Sequence, residues 1–328
     1  MVKGPIIQIT NLTKTFGKHK VLDGLNLTIK SGDIFGIIGM SGSGKTTLLN
    51  TLIGFYRPED GDILFHPAKS LVSDQKSMKS VFKNLKMVKR TFGFATQNPS
   101  LHMKLSVYEN LDHFGDLYSL PKDIKNSNID NLLSLTGLES ARHTLAINLS
   151  GGMQKRLGIA CALVHKPSVL ILDEPTADLD PILRKQIWKL IKKINQQGTT
   201  ILISSHLVDE IQTLCDQIGI LNKGSIVKSG SPDKLRSIYT NSDEIHLETL
   251  SGKYDGLMKY LNGRSGLKVT KMNKSEHKLI IYTEKAEKTL HDILHYLELK
   301  NESLIDVDVN KPSLAEVFTA LAKEEKEV

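Results

Sequence analysis

The chain has 328 residues and carries 43 Lys+Arg against 36 Asp+Glu, a formal net charge of +7. Its 40% hydrophobic and 24% charged content excludes wholesale disorder, and at roughly 150 residues per domain the length fits about two domains with sizeable cores. No run approaches the ~18 apolar residues of a membrane span, the N-terminus turns polar too soon for a signal peptide, and Cys161 and Cys215, both in apolar runs, read as buried thiols of a cytosolic protein instead of a disulfide framework.

The charge is uneven. Residues 241–328 hold 13 basic and 16 acidic residues, net −3, whereas residues 1–240 hold 30 and 20, net +10. Residues 69–90 alone carry Lys69, Lys76, Lys79, Lys83, Lys86, Lys89 and Arg90 against Asp74. A basic excess is the ordinary footprint of a nucleic-acid binder, but here one short segment holds most of it.

In chain order, IIQITNLTKTF and VLDGLNLTIK read as β-rich runs on either side of Gly17-Lys18. Ile34 to Ile38 is a continuous apolar run with the look of a buried central strand. A glycine cluster follows, and Lys45 to Phe55 reads as a helix. In the basic segment, Met78, Val81, Phe82, Leu85 and Val88 recur on one helical face while Lys76, Lys79, Lys83, Lys86 and Arg90 form a stripe on another. That pattern predicts an amphipathic helix ending near Lys89. Further on, Ser168–Leu172 and Thr199–Ile203 read as strands. Between them Asp180 caps a helix, Pro181 suits its first turn, Leu183, Ile187, Leu190, Ile191 and Ile194 recur at helical spacing, and Gly198 ends it. A strand–helix–strand unit of this length gives an α/β domain with a largely parallel sheet.

Residues 241–328 read β-α-β-β-α-β, the ferredoxin-like order, with a last helix from Pro312 to Ala322 and a frayed KEEKEV end. The expected division is therefore residues 1–240 and 241–328.

Gly39-Met40-Ser41-Gly42-Ser43-Gly44-Lys45-Thr46 matches G-x-x-x-x-G-K-[ST] between an apolar strand and a helix. Such glycines let successive N–H groups point inward as an anion nest, and the helix N-terminus adds partial positive charge. In phosphate loops of this kind the lysine reaches the β- and γ-phosphates and the hydroxyl ligates Mg²⁺, here Lys45 and Thr46. The apolar run Val169 to Leu172 ends in Asp173-Glu174. Beside a phosphate loop, the first carboxylate belongs near Mg²⁺ and the second against a water in line with the γ-phosphate.

Leu149-Ser150-Gly151-Gly152-Met153-Gln154 resembles the signature motif of ATP-binding cassette (ABC) ATPases, usually LSGGQ, and the resemblance covers about residues 5–240. It implies a P-loop NTPase with a RecA-like core, an antiparallel β subdomain and a helical subdomain. By resemblance, Phe16 stacks on adenine, and Val21 with Gly39, Met40, Ser41, Gly42, Ser43, Gly44, Lys45, Thr46 and Thr47 completes the ATP site. Gln97 resembles the Q-loop glutamine and joins Thr46 and Asp173 around Mg²⁺. Asp180 belongs to the D-loop, His206 is the switch histidine, and Glu174, His206 and Lys45 are the catalytic set. Leu149, Ser150, Gly151, Gly152 and Met153 cap the ATP of a second subunit, so the resemblance implies a dimer with two sandwiched sites, a homodimer or a pairing with a paralogue. Met153 stands where Gln is commonest, Phe16 replaces the commoner Tyr, and Asp178 stands where a D-loop often has Gly; none removes a group that hydrolysis needs.

With no membrane span, a transport ATPase needs a separate multi-span permease, at the inner face of the cell membrane. The ending KPSLAEVFTALA resembles ATPases of drug, lipid and polysaccharide exporters. The cationic stripe near 76–90 reads as a solvated helix face, and the sharper alternative sets it against anionic headgroups beside the permease. The rival, an ABC ATPase acting on nucleic acid or ribosomes, typically has two cassettes or a long coiled-coil insertion; neither occurs, and no direct nucleic-acid contact is expected. A GTPase needs Asn-Lys-x-Asp, and Asn222-Lys223-Gly224-Ser225 lacks the Asp. A small-molecule kinase leaves the signature and His206 unexplained.

Overall fold

The computed structural model describes residues 4–68, 77–239, 243–275 and 278–310. The last helix expected from Pro312 and the chain end lie outside the described residues. The chain divides into two compact units, Met1–Ser231 and Pro232–Val328.

The first unit opens with a long hairpin, β1 (Pro5–Phe16) and β2 (His19–Lys30), turned at Gly17 with φ 57. Next come β3 (Ile34–Ile38), α1 (Lys45–Leu52), β4 (Asp60–Phe65), β5 (Lys79–Ser80), α2 (Leu85–Thr91) and β6 (Phe92–Ala95). The helices α3 (Val107–Leu117), α4 (Lys122–Thr136) and α5 (Gly151–Leu163) follow and pack on one another. The unit closes with β7 (Val169–Asp173), α6 (Pro181–Gln196), β8 (Thr200–Ser205), α7 (Val208–Leu214), β9 (Gln217–Asn222) and β10 (Ser225–Gly230).

Two sheets result. One is antiparallel, in the order β2-β1-β4-β5; the other runs β10-β9-β3-β8-β7-β6, parallel except for β10. Strands β3, β7 and β8 are buried along their whole length, which explains their unbroken apolar runs: both faces of a central parallel strand are covered. The antiparallel sheet buries one face, so β2 alternates along its second half. Its inner residues Ile7, Leu25 and Ile29 share a core with Leu48, Leu49, Ile171 and Leu202 of the α/β layer. Cys161 and Cys215 are both buried, and burial pushes both thiol pKa values up.

Two expectations need correction. Helix α1 ends at Leu52, short of Phe55, because the chain turns left-handed at Gly54 with φ 75. The single amphipathic helix over 76–90 is not formed. Lys79 and Ser80 instead pair with Phe65 and Leu64 at the edge of β4, and the Ser80 hydroxyl donates to Asp62 at 2.8 Å. A short 3₁₀ turn, Val81–Lys83, follows, and α2 starts only after Asn84, whose side chain donates to the Ser80 carbonyl at 2.9 Å. Val81 and Val88 reach the core, but Leu85 is left exposed and Met87 packs in its stead. Strand pairing and local side-chain bonds outcompete the helical pattern here, so the lysines do not share one helix, and Lys76 lies outside the described residues.

The second unit contains α8 (Pro232–Tyr239), β11 (Asp243–Thr249), α9 (Asp255–Asn262), β12 (Val269–Ser275), β13 (Lys278–Thr283), α10 (Ala286–Leu299) and β14 (Leu304–Asn310). Its sheet order, β12-β13-β11-β14 with every pair antiparallel, is the ferredoxin-like arrangement. Ile245, Leu247, Leu279 and Ile281 face Leu257, Leu261, Ile293 and Leu297 of the two helices in a core of its own. Among the described residues this core shares no member with that of the first unit.

Separate cores predict separate losses. Ile281 is fully buried, and Ile281→Ala is expected to destabilise the second unit by about 2–5 kcal/mol. Calorimetry should show its transition moving down while that of the first unit stays; an equal shift in both would contradict the division.

Candidate functional site

The loop from Gly39 to Gly44 leaves the end of β3 and enters α1. Gly42 and Gly44 have φ 82 and 105, conformations that L side chains rarely adopt. A Cβ on Gly39 would strike the Ser43 hydroxyl and come within 2.6 Å of the Leu221 carbonyl. The loop therefore closes tightly against its surroundings only with glycine there. Lys45 is buried at the base of α1, where its ammonium donates to the carbonyls of Gly39 at 2.8 Å and Met40 at 3.3 Å. The Ser43 hydroxyl is buried without a hydrogen-bond partner. An orphaned donor inside a glycine-rich loop fits an anion oxygen better than it fits a closed turn. Met40 and Ser41 are exposed.

The carboxylates come from the adjoining strands. Asp173, the last residue of β7, is buried and accepts from Thr46 Oγ1 at 3.0 Å and from Ser204 Oγ at 2.5 Å. Glu174 follows with φ 48, a left-handed conformation that costs an L residue roughly 1–2 kcal/mol. Its N–H is held by Ser204 twice, through the hydroxyl at 3.0 Å and the carbonyl at 3.2 Å. That grip fixes the bend, and the bend separates the two acids. Asp173 turns to Thr46, while Glu174 lies 2.6 Å from His206 Nδ1 and 3.7 Å from Lys45 Nζ. Thr46 and Asp173 supply the hard oxygen donors that suit Mg²⁺.

Val21, Ser41, Gly42, Gly44, Lys45, Thr46, Thr47, Gln97, Glu174 and His206 line one cavity of about 330 Å³. A cleft of about 680 Å³ between α4, α5 and α6 is larger but contains none of these residues. Chemistry, not volume, locates the site.

Other expected residues lie outside that cavity. Phe16, at the end of β1, is 43% exposed and meets Tyr56 edge-on at 5.1 Å. Ser150 caps α5, its hydroxyl accepting from the Met153 N–H at 3.3 Å. Ser150 and Gly151 are exposed, Leu149 and Gly152 are buried, and a Cβ on Gly152 would meet Leu183 of α6 at 3.1 Å. Asp180 caps α6, accepting from the N–H groups of Ile182 and Leu183, each at 2.9 Å. Asp178 is exposed with φ 63, a left-handed position that Asp tolerates better than most residues. The sequence reading passed over Ser204; two serines ending an apolar strand before His206 were the available signal. It also passed over the buried Thr176–Glu210 bond at 2.5 Å, and over Lys155 of α5, which donates to the Gln97 carbonyl.

Comparison with known proteins agrees with this geometry. The family model described as "ABC transporter" matches residues 22–177. The bacitracin transport ATP-binding protein BcrA of Bacillus licheniformis is 38% identical over 232 residues, covering 70% of this chain and 71% of that protein. The linearmycin resistance ATP-binding protein LnrL of Bacillus subtilis (strain 168) is 28% identical over 96% of this chain and 98% of its own length. Among solved structures, CbiO1 of Clostridium perfringens, part of the ABC transporter complex CbiONQ, aligns with a TM-score of 0.62 at 32% identity, covering 71% of this chain and 91% of that one. A phosphate loop, a buried Asp on Thr46 and a bent Glu on His206, in a chain with these relatives, place the protein in the ABC transporter family as an ATP-binding and ATP-hydrolysing subunit.

Proposed function

We propose that this chain hydrolyses MgATP as one of two cassettes that together drive a separate multi-span permease, working in export from the cytoplasmic face of the membrane. The observation that carries the chemistry is the convergence of Lys45, Thr46, Glu174 and His206 on one small cavity beside the phosphate loop, with Asp173 bonded to Thr46. Export rests on likeness to relatives named for bacitracin transport and linearmycin resistance. No helix among the described residues is long and apolar enough to cross a membrane, and the assignment of the permease to another chain rests on likeness to relatives named as ATP-binding proteins. The nucleic-acid reading is not favoured by these relatives.

The site's charges occupy one another. Lys45 spends its donors on the Gly39 and Met40 carbonyls and sits beside Glu174. A γ-phosphate would draw Lys45 and the loop N–H groups to itself, because a phosphate oxygen is a stronger acceptor than a carbonyl. Glu174 would then lose one cation and become free to orient a water or accept its proton. His206, fixed by Glu174 through Nδ1, would present its other ring nitrogen to the phosphate. Thr46, Asp173 and Gln97 would hold Mg²⁺, whose chemistry is to offset charge on the β- and γ-oxygens. The exposed N-terminus of α5, with Ser150 and Gly151, would close over the nucleotide of the second subunit.

Glu174→Gln is expected to bind ATP near wild-type affinity, hydrolyse it about 10²–10⁴-fold more slowly, and accumulate as an ATP-bound dimer in size-exclusion chromatography. Wild-type turnover would remove Glu174 from the role. Ser204→Ala takes one bond from each carboxylate residue and should lower kcat about tenfold with little change in nucleotide affinity; single-turnover assays beside equilibrium binding separate the two. Affinity purification of the tagged chain from detergent-solubilised membranes should bring down a hydrophobic multi-span protein. Recovery of RNA or ribosomes in its place would favour the rival reading.

A further inference from the structure

Helix α5 begins at the signature and runs along β6 and the loop that follows it. Three of its positions, 155, 158 and 162, fall on one face at i, i+3 and i+7. Each meets that neighbouring segment. Lys155 donates from Nζ to the carbonyl of Gln97. Gly158 lies against Pro99, so closely that a Cβ there would sit 2.9 Å from the proline Cβ. The carbonyl of Ala162 fills the space beside Gly93, which a side chain would need. The contact is thus continuous over two turns, and at its end nearest the nucleotide site it consists of one ammonium group on one carbonyl.

Lys155 is half-buried. Its partner Gln97 lines the same cavity as Lys45, Thr46, Glu174 and His206. A single cation therefore joins the helix of the signature to a loop that reaches the nucleotide site.

We infer that Lys155 is a positioning residue that keys the Gln97 loop to the signature helix, so that the state of one subunit's nucleotide site sets how its signature is offered to the nucleotide of the other. Lys155 touches neither ATP nor the attacking water; it acts through Gln97 and through the orientation of Ser150 and Gly151. The inference rests on the reading that two chains close over ATP through their signatures.

The test uses the full chain in the Glu174→Gln background, titrated with MgATP and followed by light scattering. Adding Lys155→Gln should raise the ATP concentration for half-dimerisation about tenfold, the effect of losing one charged hydrogen bond, while the Kd of the monomer for a fluorescent ATP analogue stays within about twofold. Lys155→Arg should restore most of the loss. Gly158→Ala, which displaces Pro99 without touching any charge, should weaken dimerisation in the same direction. Without nucleotide, Lys155→Gln should raise hydrogen exchange in residues 96–101 and 150–156 together, with an unchanged melting temperature excluding general unfolding. Dimerisation at an unaltered ATP concentration with unaltered exchange would overturn the inference. If Glu174→Gln itself fails to dimerise, the dimer reading fails instead, and the paired change in exchange still decides whether Lys155 keys the two segments.

Discussion

Everything at the nucleotide site depends on the parallel register of three adjacent strands. β3, β8 and β7 lie side by side with Ile38 opposite Ser205 and Ser204 opposite Asp173. Parallel strands end at the same edge of their sheet, so the three chain segments that leave them begin within a few ångströms of one another. The phosphate loop leaves β3, the Asp173-Glu174 pair ends β7, and Ser204 and His206 straddle the end of β8. No other feature has to bring these groups together. A shift of one residue between β7 and β8 would send Asp173 and Ser204 to opposite faces of the sheet, and the bond between them would be lost.

That register creates an electrostatic problem, two adjacent carboxylates and a buried lysine at one strand edge, and the structure solves it by pairing. Each acid has its own donors: Asp173 takes the hydroxyls of Thr46 and Ser204, and Glu174 takes His206 with Lys45 nearby. Ser204 serves both, accepting the Glu174 N–H while donating to Asp173. An unpaired charge in so buried a place would be costly. A site whose charges are already paired also holds a reserve for catalysis, since phosphate oxygens can take over Lys45 and leave Glu174 to water. The strained backbone of Glu174, φ 48, is where the fold concentrates that constraint; such outliers persist only where neighbours over-determine them.

The signature helix shows the same economy. Its N-terminus is capped by its own serine and left exposed, and its body is bound along β6 and the following loop through small residues, Gly158 and Ala162 against Pro99 and Gly93. Close backbone approach makes that part of the contact stiff, and the polar link from Lys155 to Gln97 lies nearest the chemistry. The ferredoxin-like unit is built on a different principle. It has a closed core of its own.

The sequence by itself determined the α/β class, the buried central strands, the cap at Asp180, the phosphate loop and the Asp-Glu pair, because each is a local pattern: an apolar run, a residue at a helix start, glycines at fixed spacing. The ferredoxin-like order was legible for the same reason, from strands and helices alternating in a short stretch. What it misjudged was also local in appearance. Residues 76–90 carry a helical pattern, yet the partner of Lys79 and Ser80 is β4, some fifteen residues away in sequence, and strand pairing overrode the periodicity. Ser204 and Lys155 could not be read at all, because a serine in an apolar strand and a lysine on a helix acquire meaning only from what lies across from them. Tertiary structure alone decided that Ser204 bridges Asp173 and Glu174 and that Lys155 meets Gln97: hydrogen bonds between residues 31 and 58 apart in sequence leave no periodic trace along the chain.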